Sequence, residues 1–115
     1  MDQRQIDAIA AQPVPARGHL IDGNQVAASD GGQMDILSPI DGQVLTQTAK
    51  GTAADMEAAI ASARAAFEDK RWAGQSPAAR KKVLLKWADL IDANALELAV
   101  LGVRDNGTEI SMAIK

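Results

Sequence analysis

Residues 52–70, TAADMEAAIASARAAFEDK, carry the clearest helical pattern of the chain. Apolar side chains recur at helical spacing, so that one face collects Met56, Ile60, Ala63 and Phe67. Thr52 is a good N-cap, and Asp55 three residues later forms a variant of the capping box. Further alanines broaden the face with small side chains: Ala58, Ala59, Ala65 and Ala66. The pattern predicts a helix that can lie close against a sheet or another helix.

A second helix is predicted over residues 76–93. Ser76-Pro77 combines a cap with proline at the first helical position. Apolar residues then keep the helical spacing: Val83, Leu84, Trp87, Leu90 and Ile91. The basic residues fall largely on other faces: Arg80, Lys81, Lys82 and Lys86. We interpret them as a solvated helix surface, since such clusters are common on surfaces.

A third helix is predicted from about Asn94, where Glu97 supplies a second capping pair. Leu98, Leu101 and Asp105 share its register. Asn106-Gly107 ends it, because glycine readily takes the left-handed conformation after a helix. Beyond this stop, Met112, Ala113 and Ile114 resemble the start of another helix that is cut short, which leads us to expect a truncated chain.

Residues 18–50 predict short antiparallel strands separated by three turns. The turn signals are Asp22-Gly23-Asn24, Ser29-Asp30-Gly31-Gly32 and Ile40-Asp41-Gly42. Because a lone hairpin is marginal in water, these two or three strands need something to lie against. Residues 1–17 precede them as an arm that holds at most a short helix, ended by Pro13 and Pro15, and is expected to be loosely attached. The chain is thus predicted to be α+β, a hairpin followed by three helices.

Composition narrows the classes of function. The chain has 115 residues, 47% of them hydrophobic, and a net charge of −3, which argues against nucleic acid as the main partner. No apolar run approaches the length of a membrane span, and the first residues, MDQRQ, do not resemble a signal peptide. Cysteine is absent, which is compatible with a cytoplasmic protein and excludes a thiolate nucleophile within this chain.

Residues with catalytic potential are few and scattered. No His, Cys, Asp or Glu spacing predicts a metal site, and no glycine-rich phosphate loop is present. His19 is the single histidine and is interpreted as a surface residue at the start of a strand. Asp89 and Asp92 lie three apart on a helix face that is predicted to be exposed. From its residues alone, the chain is therefore an ordered piece without an active site.

Five segments, taken in order, resemble the N-terminal part of aldehyde dehydrogenases over residues 18–115. They comprise a strand and turn, a Ser-Pro-x-x-Gly segment, a first long helix followed by a tryptophan, a second helix, and a helix stop. In this chain they are Leu20-Ile21-Asp22-Gly23, Ser38–Val44, Ala58–Phe67 with Trp72, Ser76–Ile91, and Asp105-Asn106-Gly107. Thr108-Glu109 departs from the family's Lys-Pro at this stop. Leu37–Gly42 and Ser76–Lys81 also resemble segments of members that act on aminobutyraldehyde-type substrates.

The resemblance implies an α/β parent enzyme that uses NAD or NADP and assembles as dimers or tetramers. Residues 18–115 would form the incomplete N-terminal part of its Rossmann-type cofactor-binding domain. The family's nucleophilic cysteine, glutamate base, oxyanion-hole asparagine and cofactor loop belong to later sequence, so none is carried onto this chain. Some members hold a structural monovalent cation, and its counterpart residues here would be the backbone oxygen of Ile36 and Asp105.

Two hypotheses follow. In the first, the chain is a scaffold piece of an aldehyde dehydrogenase, covered by the rest of the enzyme, and on its own it binds no cofactor and oxidises no aldehyde. In the second, it is a free-standing, non-enzymatic module that associates with itself or with a partner through its uncovered apolar faces.

Overall fold

The structure is a computed structural model that describes residues 2–113. Ile114, part of the predicted final helix, lies outside them. Five helices and four strands lie within these residues. Their bounds are α1 Gln3–Ala10, β1 His19–Ile21, β2 Asn24–Val26, β3 Gln33–Leu37, β4 Val44–Ala49, α2 Ala53–Glu68, α3 Pro77–Ala93, α4 Ala95–Asn106 and α5 Ile110–Ala113. The α+β class and the three main helices are as predicted.

Two compact units divide the chain. The first unit holds the described residues up to 15, residues 35–47 and those from 87 onward. The second unit holds residues 16–34 and 48–86. The four strands form two separate two-stranded sheets, β1 with β2 and β3 with β4.

The β1–β2 hairpin in the second unit follows from its two-residue turn. Asp22 and Gly23 have φ values of 51° and 76°, the left-handed pair that a type I′ turn requires. The antiparallel register sets Ile21 opposite Asn24 and His19 opposite Val26. The β3–β4 turn, also predicted, is closed by hydrogen bonds from the Ser38 N–H to the Gln43 oxygen and from the Gly42 N–H to the Ser38 oxygen, both 2.8 Å.

Helix α2 begins with the predicted capping box. The Thr52 hydroxyl accepts from the Asp55 N–H at 3.2 Å, and the Asp55 carboxylate accepts from the Thr52 N–H at 2.9 Å. The packed face includes Ala59 and Ala66 of the predicted small-residue face but not its larger side chains. Half-buried residues follow the line Asp55, Ala59, Ser62, Ala66, and α2 contacts β1. The predicted stripe of Met56, Ile60 and Phe67 is instead 59–66% exposed.

Helix α4 organises the first unit. Ala99 and Val100 are its buried residues. Leu98 and Leu101, which were predicted to share one face, are 48% and 42% exposed. The predicted capping pair at Asn94 is also wrong, because the Asn94 amide donates back to the Leu90 carbonyl at 2.7 Å and makes no cap bond. The stop at Gly107 is confirmed, with φ 75° and a bond from its N–H to the Val103 oxygen.

The N-terminal segment packs more closely than its sequence indicates. Helix α1, capped by the Asp2 carboxylate, lies against α4. The Arg104 guanidinium donates to the carbonyl oxygen of Gln12 at 2.7 Å. Residues 3–12 are therefore docked within the first unit, in contrast to the loosely attached arm expected from composition.

Very little apolar surface is buried. Among residues 2–113 the buried hydrophobic side chains are Ala28, Ala99 and Val100. Every residue of α3 from 81 to 93 is exposed, including Trp87 at 62% and Leu90 at 54%. Within the part of the chain that the structure describes, no helix combines the length and apolar character needed to cross a membrane.

Candidate functional site

Three polar residues of the second unit surround the carboxylate of a fourth. We call His19, Ser29, Thr52 and Asp55 the Asp55 cluster. The Asp55 Oδ1 accepts from the Ser29 N–H at 2.9 Å. Its Oδ2 accepts from the Thr52 N–H and the Thr52 hydroxyl, each at 2.9 Å. The Ser29 and Thr52 hydroxyl oxygens are 2.7 Å apart. The helix cap therefore also anchors the loop that follows β2.

The hydrogen bonds around Asp55 favour its ionised form. The Thr52 N–H is the main cause that lowers the pKa of this carboxyl below 3.8, and the Thr52 hydroxyl and the Ser29 groups act in the same direction. Partial desolvation opposes them without reversing the result. Asp55 is thus a stable negative charge at the N-terminus of α2, where the helix dipole also favours an anion.

His19 is where the structure departs most from its predicted role. Its side chain is only 24% exposed, and its Nε2 lies 3.6 Å from the Asp55 Oδ2. The Nε2 atom is buried and has no hydrogen-bond partner. The ring lies beside Gly51, where an added Cβ would be 3.4 Å from the imidazole Cε1. A surface residue was expected, and no local sequence signal links His19 to a carboxylate 36 positions later.

The two candidate cation residues both fall in the first unit. Ile36 is half-buried on β3, and Asp105 is exposed in the last turn of α4. The end of α4 approaches the turn after β3, because a Cβ on Gly107 would lie 3.4 Å from the Pro39 Cγ. Carbonyl and carboxylate oxygens are suitable donors for a hard cation. Across residues 2–113, no group of three or more His, Cys, Asp or Glu could hold a metal ion.

The surroundings of the Asp55 cluster offer few free polar groups to a substrate. An open hollow of about 300 Å³ lies beside it, lined by His19, Leu20, Ile21, Gly51, Thr52, Asp55, Met56 and Ala59. Its polar groups are already engaged with one another, apart from the His19 Nε2. The acids Asp89 and Asp92 are exposed on α3, as predicted. This geometry supports a structural role for the cluster, tying a hairpin and a loop to a helix.

The known sequences that this chain resembles belong to one family. The sequence model of the aldehyde dehydrogenase family matches residues 26–115. An aminoacetaldehyde dehydrogenase of Pseudomonas aeruginosa is 40% identical over 96% of this chain and 22% of its own length. An NADP/NAD-dependent aldehyde dehydrogenase of Escherichia coli is 37% identical over 83% of this chain and 19% of its own length. The chain thus spans about a fifth of the length of these two relatives.

Solved structures agree. The gamma-glutamyl-gamma-aminobutyraldehyde dehydrogenase of Burkholderia cenocepacia superposes on 100% of this chain with a TM-score of 0.93 and 38% identity, over 23% of that protein. An indole-3-acetaldehyde dehydrogenase complexed with NAD+ superposes on 99% of this chain, with a TM-score of 0.90 and 35% identity, over 23% of that protein. Sequence match and shared fold together lead to one conclusion: the chain belongs to the aldehyde dehydrogenase family.

Proposed function

We propose that this chain is a scaffold piece of a longer aldehyde dehydrogenase, with residues 18–115 forming the N-terminal part of its cofactor-binding domain and residues 1–17 an arm that precedes it. The longer enzyme oxidises an aldehyde to a carboxylic acid with NAD or NADP, through a thiohemiacetal on a cysteine outside this chain. The two aldehyde dehydrogenase relatives and the NAD+ complex of the similar indole-3-acetaldehyde dehydrogenase support this reaction class. We further propose a cytoplasmic location and assembly into a homo-oligomer.

The exposed apolar faces carry this proposal. Large hydrophobic side chains on α2 and α3 are 44–66% exposed: Met56, Ile60, Phe67, Val83, Leu84, Leu85, Trp87, Leu90 and Ile91. Because about half of each side chain is already covered, full burial would add roughly half of the ~1.5–3 kcal/mol that burying a fully exposed side chain contributes. A longer polypeptide that covered these faces would recover much of this energy. The chain then contributes positioned helices and a hairpin rather than reacting groups.

On its own, the 115-residue chain is expected to be inactive, because it lacks a thiolate nucleophile. The pure chain is mixed with NAD+ or NADP+ and an aminoaldehyde, and the absorbance of the reduced cofactor is followed at about 340 nm. We expect no rise above a protein-free control, and the E. coli relative serves as the positive control. A rise that scales with the concentration of this chain would contradict the proposal.

The same exposed faces favour a second candidate function. A free-standing module derived from this fold would use the α2 and α3 faces to bind a second copy or another protein. Such a module would have no catalytic role. A discrete oligomer of constant mass would separate such a module from the scaffold piece.

We also propose that Ile36 and Asp105 bind a monovalent cation, supported by the approach of the α4 end to the turn after β3. Thermal unfolding is compared in potassium chloride and in choline chloride at equal ionic strength. The midpoint should be higher in potassium, and Asp105→Asn should remove the difference. Asp89→Asn, at an exposed carboxylate on α3, is the matched control and should keep it. Equal midpoints for the unmodified chain would refute the site.

A further inference from the structure

We propose that the Asp22-Gly23 turn is a site of spontaneous covalent modification, at which Asp22 converts to isoaspartate through a cyclic imide. The reaction needs an aspartate or asparagine followed by a glycine, whose lack of a side chain lets its main-chain nitrogen approach the side-chain carbonyl carbon. The chain contains four such pairs: Asp22-Gly23, Asp30-Gly31, Asp41-Gly42 and Asn106-Gly107. Their local hydrogen bonds differ, and these bonds single out the first pair.

The attacking nitrogen is already engaged in three of the four pairs. In each of these, the glycine N–H donates to a main-chain carbonyl oxygen at 2.8 Å. The donors and acceptors are Gly31 to Ala28, Gly42 to Ser38, and Gly107 to Val103. The Gly23 N–H, in contrast, donates no hydrogen bond among residues 2–113. A bonded N–H must first leave its acceptor, whereas the Gly23 nitrogen can react without that cost.

The same three pairs also hold the side chain that is attacked. In each, a side-chain oxygen accepts from the N–H two residues later, at 2.8–3.1 Å: Asp30 from Gly32, Asp41 from Gln43, and Asn106 from Thr108. The Asp22 side chain is instead 69% exposed and lies 3.7 Å from the Arg71 guanidinium. An exposed charge pair of this kind is weak, so the Asp22 carboxyl can turn toward Gly23.

The surroundings of the turn favour the reaction in two further ways. The Asn24 side-chain amide donates to the Asp22 carbonyl oxygen at 3.0 Å. Because this carbonyl shares its peptide group with the Gly23 nitrogen, the bond polarises the group and makes the Gly23 N–H more acidic. A Cβ on Gly23 would meet nothing within 4 Å, so the main chain has open space in which to rotate.

The conversion proceeds in two steps that leave the composition of the chain unchanged. In the first, the Gly23 nitrogen bonds to the Asp22 Cγ. One carboxyl oxygen leaves as water, with the N–H proton and a proton from the carboxyl group or the solvent. In the second, a water molecule opens the imide at the former main-chain carbonyl of Asp22. The peptide bond then runs through Cγ, and the former main-chain carbonyl becomes a free carboxylate.

The product does not fit the β1–β2 hairpin. A two-residue type I′ turn needs positive φ at both central residues, as Asp22 and Gly23 have at 51° and 76°. Isoaspartate adds a main-chain carbon to this turn and displaces the pairing of Ile21 with Asn24. Since β1 contacts α2, the modification loosens the hairpin from the helix.

Asp22→Asn gives one chain two asparagine-glycine pairs, because Asn106 precedes Gly107. Asparagine suits this turn as aspartate does, and its imide forms with loss of ammonia instead of water. The variant is incubated at neutral pH, folded or in urea, and deamidation at both positions is followed by peptide mass spectrometry. The folded-to-urea rate ratio should be about tenfold higher at position 22, because Asn106 must first lose two hydrogen bonds. A ratio at position 22 no higher than that at Asn106 would overturn the proposal.

The unmodified chain provides the second test. It is aged at neutral pH and digested, and isoaspartate is located in peptides of unchanged mass and altered retention time. Relative to its rate in urea, the product should form faster at Asp22 than at Asp30 or Asp41. Asp22→Gly keeps a turn-forming pair without a side chain that can cyclise, so it should remove the first product alone. Faster conversion at Asp30 or Asp41 would contradict the assignment.

Discussion

The same substitution, glycine to alanine, is expected to have opposite effects on stability at Gly18 and Gly102. A Cβ on Gly18 would overlap the Val26 carbonyl oxygen and lie 2.9 Å from its carbonyl carbon, so the backbone of the hairpin must open. A Cβ on Gly102, inside α4, would meet nothing within 4 Å. We therefore expect Gly18→Ala to lower the free energy of unfolding by about 1–3 kcal/mol. Gly102→Ala should raise it by about 0.5–1 kcal/mol through helix propensity.

Urea unfolding followed by far-UV circular dichroism measures both changes against the unmodified chain. Each variant is the other's control, because the added group is the same methyl. A neutral Gly18→Ala would mean that the β1–β2 hairpin contributes nothing to the stability of the second unit. A destabilising Gly102→Ala would mean that α4 has less free space than the structure gives it.

Residues that act on close neighbours in sequence were predictable. Thr52 and Asp55 are three positions apart, and their spacing alone indicated the capping box that the structure contains. The Asp22-Gly23 turn was equally local. The contact between His19 and Asp55 was missed because it depends on where β1 packs, which no pattern within a short window records. Asn94 failed as a cap since its amide finds a nearer partner in the Leu90 carbonyl.

At the scale of elements, helix positions were predictable, whereas helix faces were predictable only in part. The α2 periodicity located the helix correctly, yet its larger side chains, Met56, Ile60 and Phe67, are exposed. The hairpin instead packs on the small-residue face that contains Ala59 and Ala66, because small side chains let two backbones approach. In α4 the same reversal buries Ala99 and exposes Leu98. Hydrophobic spacing finds an apolar stripe but does not say which neighbour covers it.

At the scale of the molecule, the family was predictable because five weak motifs kept their order over residues 18–115. The candidate cation site followed from the same resemblance, and the structure places its two residues in one unit. The sequence predicted an apolar stripe on α3 but not that residues 81–93 would all be exposed within the part of the chain that the structure describes. The exposed apolar faces therefore affect, above all, how the chain assembles in solution.

We expect the isolated chain to self-associate without a fixed stoichiometry. The apolar side chains of α3 from Val83 to Ile91 are exposed, and apolar patches of this kind drive non-specific contacts. Static light scattering after size exclusion should give an average mass above that of the monomer that rises continuously with protein concentration. Leu84→Gln with Trp87→Gln should lower that mass toward the monomer, whereas the matched surface change Lys81→Gln with Lys82→Gln should not.

A discrete oligomer of constant mass would favour the free-standing module over the scaffold piece. A monomer at every concentration would contradict both, because each requires apolar faces that seek cover.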